Sequence, residues 1–381
     1  MRILLVGDYP PDPRLGSTKV LVKLQEELRG LGHSCDLLLS DRIGRRPSNP
    51  YARQAFGPVA AWLAVRRAFR SNGPYDVVDV ASAEGLWIAA RFGRELRHAT
   101  VVSRSNGLEH LNYRRMLDDA AAGLIAKPWT RRLFHPAVRL TQVAAAARAA
   151  DRLLLLNEGD RAFAVAQGWK PADAIDVIAH GVSGRFLSDR PAPDAPRGQG
   201  ILFCGSWTDV KGVRYLADAF SQMVARGVDA RLTVVGGAVP DDIIRSAFAP
   251  DARARVTIVE RVSEEHVMAA YRRHDVLAWP STYEGFGMVL VEAMSQGLPV
   301  VATPVGCAPS LVVDGVTGLC VPPRDSDALG RALERLLGDP PLRATLSAAA
   351  LRAVETMSWT ETARHTLVSY ERARRSVKHA A

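Results

Sequence analysis

Two carboxylates, Glu284 and Glu292, stand at the ends of an eight-residue step inside Pro280-Ser281-Thr282-Tyr283-Glu284-Gly285-Phe286-Gly287-Met288-Val289-Leu290-Val291-Glu292-Ala293-Met294. The apolar run Val276-Leu277-Ala278-Trp279 before it reads as a strand, and the residues from about Phe286 onward read as a helix. The first N–H groups of a helix have no intrahelical acceptor and carry the positive end of its dipole, so the amides from Phe286 through Gly287 and Met288 to Val289 suit an anion. Gly285 and Gly287 put no side chain between that backbone and a phosphate. Glu284 repels phosphate, but an acceptor-only carboxylate beside a phosphate site suits sugar hydroxyls. Phosphate, ribose and hexose together describe a nucleotide sugar.

The spacing and the residues around it resemble the Glu-x7-Glu motif of the retaining GT-B glycosyltransferases of family 4. The likeness continues through Gln296-Gly297-Leu298-Pro299-Val300-Val301-Ala302-Thr303 and Asp314-Gly315-Val316-Thr317-Gly318-Leu319-Cys320-Val321-Pro322-Pro323. It implies that Glu292 holds the ribose and Glu284 the transferred sugar. It also implies a donor site built with Gly205, Ser206, Lys211, Gly236 and Val262. In Leu202-Phe203-Cys204-Gly205-Ser206-Trp207-Thr208-Asp209-Val210-Lys211-Gly212 the diphosphate-gripping lysine is present as Lys211, but Ser206 stands where many relatives have arginine. Serine offers at most one hydroxyl donor, so a bidentate clamp is lost there. Arg261, near the strand end that flanks the base in relatives, is a candidate replacement.

In the first half, Gly7-Asp8-Tyr9-Pro10-Pro11 leads into a loop where the family has two glycines and this chain has one, Gly16. Arg104-Ser105-Asn106-Gly107-Leu108-Glu109-His110 resembles the acceptor-side motif, with Asn106 in place of the usual histidine. Asn106 can donate and accept but carries no proton to transfer. His110 reads more simply as a structural histidine, and Arg104 and Glu109 are further acceptor-side candidates. A retaining front-face reaction needs no histidine base, because the departing diphosphate can take the acceptor's proton. Catalysis then rests on Lys211, helix-end amides and alignment, with Glu284 and Asn106 at the sugar. No Asp-x-Asp is placed to hold a cation, so the expected cofactor is none beyond a UDP- or GDP-sugar co-substrate.

These groups must be positioned by a scaffold, and short apolar strands alternating with helical patterns along 381 residues argue for parallel sheets covered by helices. The expected strands are 3–6, 34–39, 77–80, 100–103, 153–156 and 175–178, then 200–204, 230–235, 256–259, 276–279, 299–302 and 318–321. Asp189-Arg190-Pro191-Ala192-Pro193-Asp194-Ala195-Pro196-Arg197-Gly198 has no periodicity and reads as a linker. The expected fold is α/β: two doubly wound, Rossmann-like domains (1–186 for the acceptor, 199–356 for the donor) joined by 187–198 and facing across a cleft. The resemblance adds a final helix, 357–381, crossing back to the first domain. A nicotinamide dehydrogenase is disfavoured, since no Gly-x-Gly-x-x-Gly follows the first strand.

Residues 1–190 hold 28 Lys and Arg against 19 Asp and Glu, whereas residues 191–381 hold 21 of each. All of the net charge of +9 therefore lies in the first half. Without a stacking platform or recognition motif, nucleic acid is not the expected partner. Arg42, Arg45 and Arg46, then Arg66, Arg67 and Arg70 with Trp62 and Phe69, then Lys127-Pro128-Trp129-Thr130-Arg131-Arg132-Leu133-Phe134, mix cations with large apolar groups. That mixture fits either an anionic membrane surface or a solvated face over core residues. The amino end is too short an apolar run for a signal peptide, and no segment has the length to span a bilayer. Cys35, Cys204, Cys307 and Cys320 have no metal or redox spacing. The expectation is a cytoplasmic enzyme, at the inner face of the membrane if the acceptor is a lipid-linked glycan, serving polysaccharide or glycolipid synthesis. Its rivals are a catalytically dead sugar-nucleotide binder and a same-fold phosphorylase or disaccharide synthase.

Overall fold

The computed structural model describes residues 1–13, 15–44, 47–126, 129–192, 195–260 and 262–380, giving the backbone alone for 129–131 and 378–380. Arg45, Arg46, Lys127, Pro128 and Arg261 lie outside the described residues. The chain divides into two compact units, Met1–Gly181 with Trp359–Ala381, and Val182–Ser358.

The first unit is built on β1 (Arg2–Val6), β2 (Ser34–Leu38), β3 (Val77–Ala81), β4 (Thr100–Arg104), β5 (Arg152–Leu155) and β6 (Ile175–Val177). They form one parallel sheet in the order β2-β1-β3-β4-β5-β6. Alternate residues of a strand point to opposite faces, so Leu4 and Val6 join Val78 and Val80 in one core, while Ile3 and Leu5 join Val77 and Val102 in another. That double burial is why β1 reads as an almost unbroken apolar run, while the buried Asp79 of β3 and Arg104 of β4 are tolerated because they pair with each other. The helix Gly16–Gly30 buries Val20, Leu21, Leu24 and Leu28 on a single face. The helix Trp359–Ala380 adds Ala363, Tyr370 and Ala373 to the second core of this same unit. Its Tyr370 hydroxyl donates to Asp79 at 2.5 Å, and Thr362 donates to the carbonyl of Ala179 at 2.9 Å.

The second unit carries β7 (Ile201–Cys204), β8 (Leu232–Val235), β9 (Val256–Val259), β10 (Val276–Trp279), β11 (Val300–Ala302) and β12 (Leu319–Cys320), parallel in the order β12-β11-β10-β7-β8-β9. Each expected strand has its counterpart, within two residues at either end. In both sheets the strand order reverses once, between β1 and β3 and between β7 and β10. Open α/β sheets bind ligands beyond the strand carboxyl ends at such a switch point. In the second unit those ends open into residues 205–212 and 280–287.

Residues 187–198, read from the sequence as a linker, belong to the second unit; the first two end the short helix Gly184–Ser188, and 189–192 and 195–198 have neither helix nor strand. Arg197 gives that segment a fixed course. Its guanidinium donates to the carbonyls of Tyr271 (2.6 Å), Arg272, His274, Gln296 (3.0 Å) and Gly297 (2.8 Å). It thereby ties together the carboxyl ends of the helices Glu264–Arg273 and Met288–Ser295, the latter carrying Glu292. Burial pushes this guanidinium down to about 10.

Candidate nucleotide-sugar site

The helix expected from about Phe286 begins at Met288, because Gly287 is left-handed at φ +103°. A Cβ at Gly287 would lie 2.5 Å from the Trp279 ring, so only glycine lets the loop pass over that indole. Phe286 is buried, and its carbonyl accepts from Cys307 N–H at 2.7 Å. Gly306 is just as confined, with a Cβ there meeting the Phe286 carbonyl at 2.4 Å. The helix start is thus held from both sides beyond the sheet's carboxyl end, and the first-turn amides of a helix have no intrahelical acceptor.

Residues 205–212 reach the same place from β7. Gly212 is left-handed (φ +69°), and a Cβ there would sit 1.9 Å from the Pro280 carbonyl oxygen. Thr282 N–H donates to the Val210 carbonyl at 2.9 Å, and the Thr282 hydroxyl accompanies it at 3.2 Å. Stitched in this way, the two loops bring Lys211 Nζ to 2.6 Å from Glu284 Oε1. Ser281 donates to the same oxygen at 2.8 Å. Glu284 is 9% exposed, and burial this deep is tolerated because a cation and a hydroxyl both face it. Burial first, and then the charge of Glu284, hold the nearby Cys307 thiol far above its ordinary range.

Glu292 lies about one turn into the helix, also buried, and accepts from the Tyr271 hydroxyl at 3.3 Å. Burial and the neighbouring Cys204 and Glu292 keep that phenol protonated well past its ordinary pKa, so its proton stays available to Glu292. Gly205 and Gly236 follow β7 and β8 with positive φ, their N–H groups donating to Val235 and Val259 carbonyls. A Cβ at either glycine would meet open space, so the floor beside the site is bare backbone. Ser206, Gly285, Val289 and Val262 are half-buried. Val262 also lines a cavity of about 470 Å³ between β8, β9 and the helix Glu264–Arg273. Among the described residues, no three His, Cys, Asp or Glu side chains converge on one point as a metal-ligand set.

In the first unit, Gly16 opens the helix after β1, and Asn106 follows β4. Asn106 Nδ2 donates to the Tyr9 hydroxyl at 3.2 Å, while its Oδ1 is buried without a partner. Arg104 does not reach this place. It is buried in the sheet, with Nη2 2.6 Å from Asp79, and so serves the packing of the closing helix through the shared Asp79 and Tyr370. Glu109 receives a bidentate pair from Arg139, which also reaches Glu84 at 2.8 Å. His110 packs 4.7 Å from Trp169, and burial pushes it down to about 4, which makes it a neutral packing histidine. Phe69 lies in the core, whereas Trp62 donates its indole N–H to the Phe92 carbonyl at 2.5 Å.

Ser281, Tyr271 and Arg197 complete the site's framework without a motif to announce them. Ser281 stands three residues before Glu284, which was a usable signal. The other two act across the fold and leave none.

This geometry defines a class: a doubly wound α/β protein whose second unit presents a helix start, a cation and two buried carboxylates at its switch point. Residues 198–339 match the model of the family described as "Glycosyl transferases group 1". The chain is 35% identical over 214 residues to a D-inositol 3-phosphate glycosyltransferase of Rhodococcus jostii, covering 52% of this chain and 47% of that protein. It is 27% identical over 401 residues to the phosphatidyl-myo-inositol mannosyltransferase of Mycolicibacterium smegmatis, covering 97% and 94%. The fold is similar to that of a sucrose-phosphate synthase from Thermosynechococcus elongatus, with a TM-score of 0.77, 21% identity and 100% of both chains covered. The chain spans about half the length of most of the curated relatives it matches. Two Rossmann-like units of the GT-B type are therefore the fold.

Proposed function

We propose that this chain is a retaining glycosyltransferase that moves a sugar from a UDP- or GDP-sugar to a hydroxyl acceptor in glycoconjugate synthesis, without a metal. One observation carries the reading: Lys211 and the helix start at Met288 converge where Glu284 is buried. Lys211 and the first-turn amides hold the diphosphate and stabilise the charge that grows on it as the glycosidic bond breaks. Glu284 accepts from the sugar's hydroxyls and Glu292 from the ribose. Lys211 also offsets the repulsion between Glu284 and the phosphates, which lets a carboxylate sit so near an anion. Asn106, from the first unit, contacts sugar or acceptor by hydrogen bonding, and the leaving phosphate oxygen takes the acceptor's proton.

A screen of slow hydrolysis and binding over UDP-, GDP- and ADP-sugars names the donor, and the anomer of the released sugar reads retention directly. Release of the inverted anomer rejects the retaining mechanism. A second reading, a binder without turnover, draws on Ser206 and Asn106, which replace an arginine clamp and a histidine. Tight nucleoside-diphosphate binding with no transfer or hydrolysis under any donor would favour it.

A further inference from the structure

The cavity of about 470 Å³ in the second unit extends well beyond Val262, along the face of β8 and β9 turned away from the core. Strand alternation builds its floor. Leu232, Val234 and Val256 point into the core, so Thr233 and Val235 of β8, Thr257 and Val259 of β9, and Arg231 just before β8 line the cavity. From the amino to the carboxyl end of the strands, that floor reads cation, hydroxyls, then aliphatic side chains. One wall is the helix Glu264–Arg273, whose His266, Ala269, Ala270 and Arg273 fall at positions i, i+3, i+4 and i+7 and so share a face.

Arg231 and Arg273 come together at one end. Gln199 N–H donates to the Arg273 carbonyl at 3.2 Å and Ile201 N–H to the Arg231 carbonyl at 2.9 Å, so both arginines flank one short stretch of chain. Their guanidiniums have no ion-pair or hydrogen-bond partner among the described residues, and none of the described residues lining the cavity is acidic. His274 stands at the same end and is only 2% exposed. Its Nδ1 donates to the Ala270 carbonyl at 2.8 Å, which leaves Nε2 a buried acceptor without a donor. A cavity of this size takes a small organic ligand, and the order of its lining selects one. Two uncommitted guanidinium forks suit a phosphate. Arg231 and Val235 are separated by four steps of extended chain, about 13 Å, which is the reach of a phosphate, a ribose and a base in line. The arginine end is also the wrong end for the donor's diphosphate, because Lys211 and the helix start at Met288 lie beyond the carboxyl ends of the strands.

We infer that this groove is a second nucleotide site, which binds a nucleoside monophosphate with its phosphate on Arg231 and Arg273 and its ribose over Thr233 and Thr257. The base lies on Val235 and Val259, against the His266 end of the helix. The arginines take the charge, the threonines and His274 Nε2 meet hydroxyl groups, and the valines take the flat apolar ring. The inference does not depend on the glycosyl-transfer reading.

The test uses the full chain and titration calorimetry with adenosine monophosphate and uridine monophosphate, in wild type and in Lys211→Ala. At least one of the two should bind both proteins equally, and at least about tenfold more tightly than ribose phosphate, the free nucleoside or inorganic phosphate. Arg231→Glu and Arg273→Glu should each weaken that binding by about tenfold or more. Ala269→Phe, which fills the cavity without changing its charge, should weaken it as well, and Arg231→Lys should lose less than Arg231→Glu. Circular dichroism of the variants controls for folding. Binding that survives both glutamate variants would overturn the inference, as would no binding of either monophosphate. Affinity for inorganic phosphate equal to that for the nucleotide would also overturn it, in favour of plain anion attraction. Loss of the monophosphate in Lys211→Ala would place it at the donor site instead. The donor reading is judged apart, by nucleoside-diphosphate titration of Lys211→Ala, and its failure would leave the groove untouched.

Discussion

Lys211 Nζ and Glu284 Oε1 are 2.6 Å apart, although 73 residues of chain separate them. Each residue alone is ambiguous: a lysine after a strand, a glutamate before a helix. Together they make a neutral pair at a helix start, where an incoming diphosphate can take over the cation while sugar hydroxyls take over the carboxylate. That exchange is the physical core of the proposed donor site.

Lys211→Ala should therefore raise the dissociation constant for UDP or GDP by about ten- to hundredfold, since a charged hydrogen bond contributes about 1.5–3 kcal/mol. Ser206→Arg should lower it by restoring a bidentate donor. Titration calorimetry of both variants checks this, and unchanged affinity in Lys211→Ala would remove the residue from the site.

Glu284→Ala and Glu292→Ala should both cut turnover with the fold intact, by different routes. Loss of Glu292 also leaves the buried Tyr271 hydroxyl without that acceptor, so Tyr271→Phe should reproduce part of its effect on donor KM. Steady-state kinetics with the donor found in the screen measures all three. Wild-type rates in both glutamate variants would sink the assignment.

Gly287→Ala should destabilise the second unit by about 1–3 kcal/mol, because alanine at φ +103° is strained and its methyl meets the Trp279 ring. Gly212→Ala should act similarly and also displace Lys211. Thermal unfolding with and without nucleoside diphosphate separates the two contributions. An unchanged Tm in both variants contradicts the tight packing described for this loop pair.

Burial pushes Asp160 of the first unit up to about 7, partly opposed by hydrogen bonds from Asn157 and the Leu108 backbone. Its folded pKa thus lies above its unfolded value. Between about pH 4 and pH 7 the native state holds a proton that the unfolded state has lost, and stability falls as pH rises through that window. The full swing is roughly 4 kcal/mol at most, with little further change above pH 7. Asp160→Asn should flatten the slope and be more stable than wild type at pH 8. Denaturant melts of both proteins from pH 4 to 8 provide the comparison, and parallel curves would refute it.

The sequence alone was enough for whatever repeats locally. All twelve strands were legible, because a parallel strand covered on both faces is mostly apolar, as in Ile3–Val6 and Val276–Trp279. The phosphate-binding helix start was legible too, from glycines and carboxylates within one short segment. Its first residue was misjudged by two, since the left-handed turn at Gly287 depends on the Trp279 ring beneath it. Only tertiary structure decided what distant residues do to each other. Arg104 looked like a site residue by position and is instead clamped between Asp79 and the closing helix. Arg197 looked like linker and is instead a knot of five backbone carbonyls. Tyr271 carried no signal until folding set its hydroxyl against Glu292. Local backbone preference and strand burial leave a periodic trace in the chain, whereas hydrogen bonds across many tens of residues exist only once each doubly wound sheet has brought its own loops together.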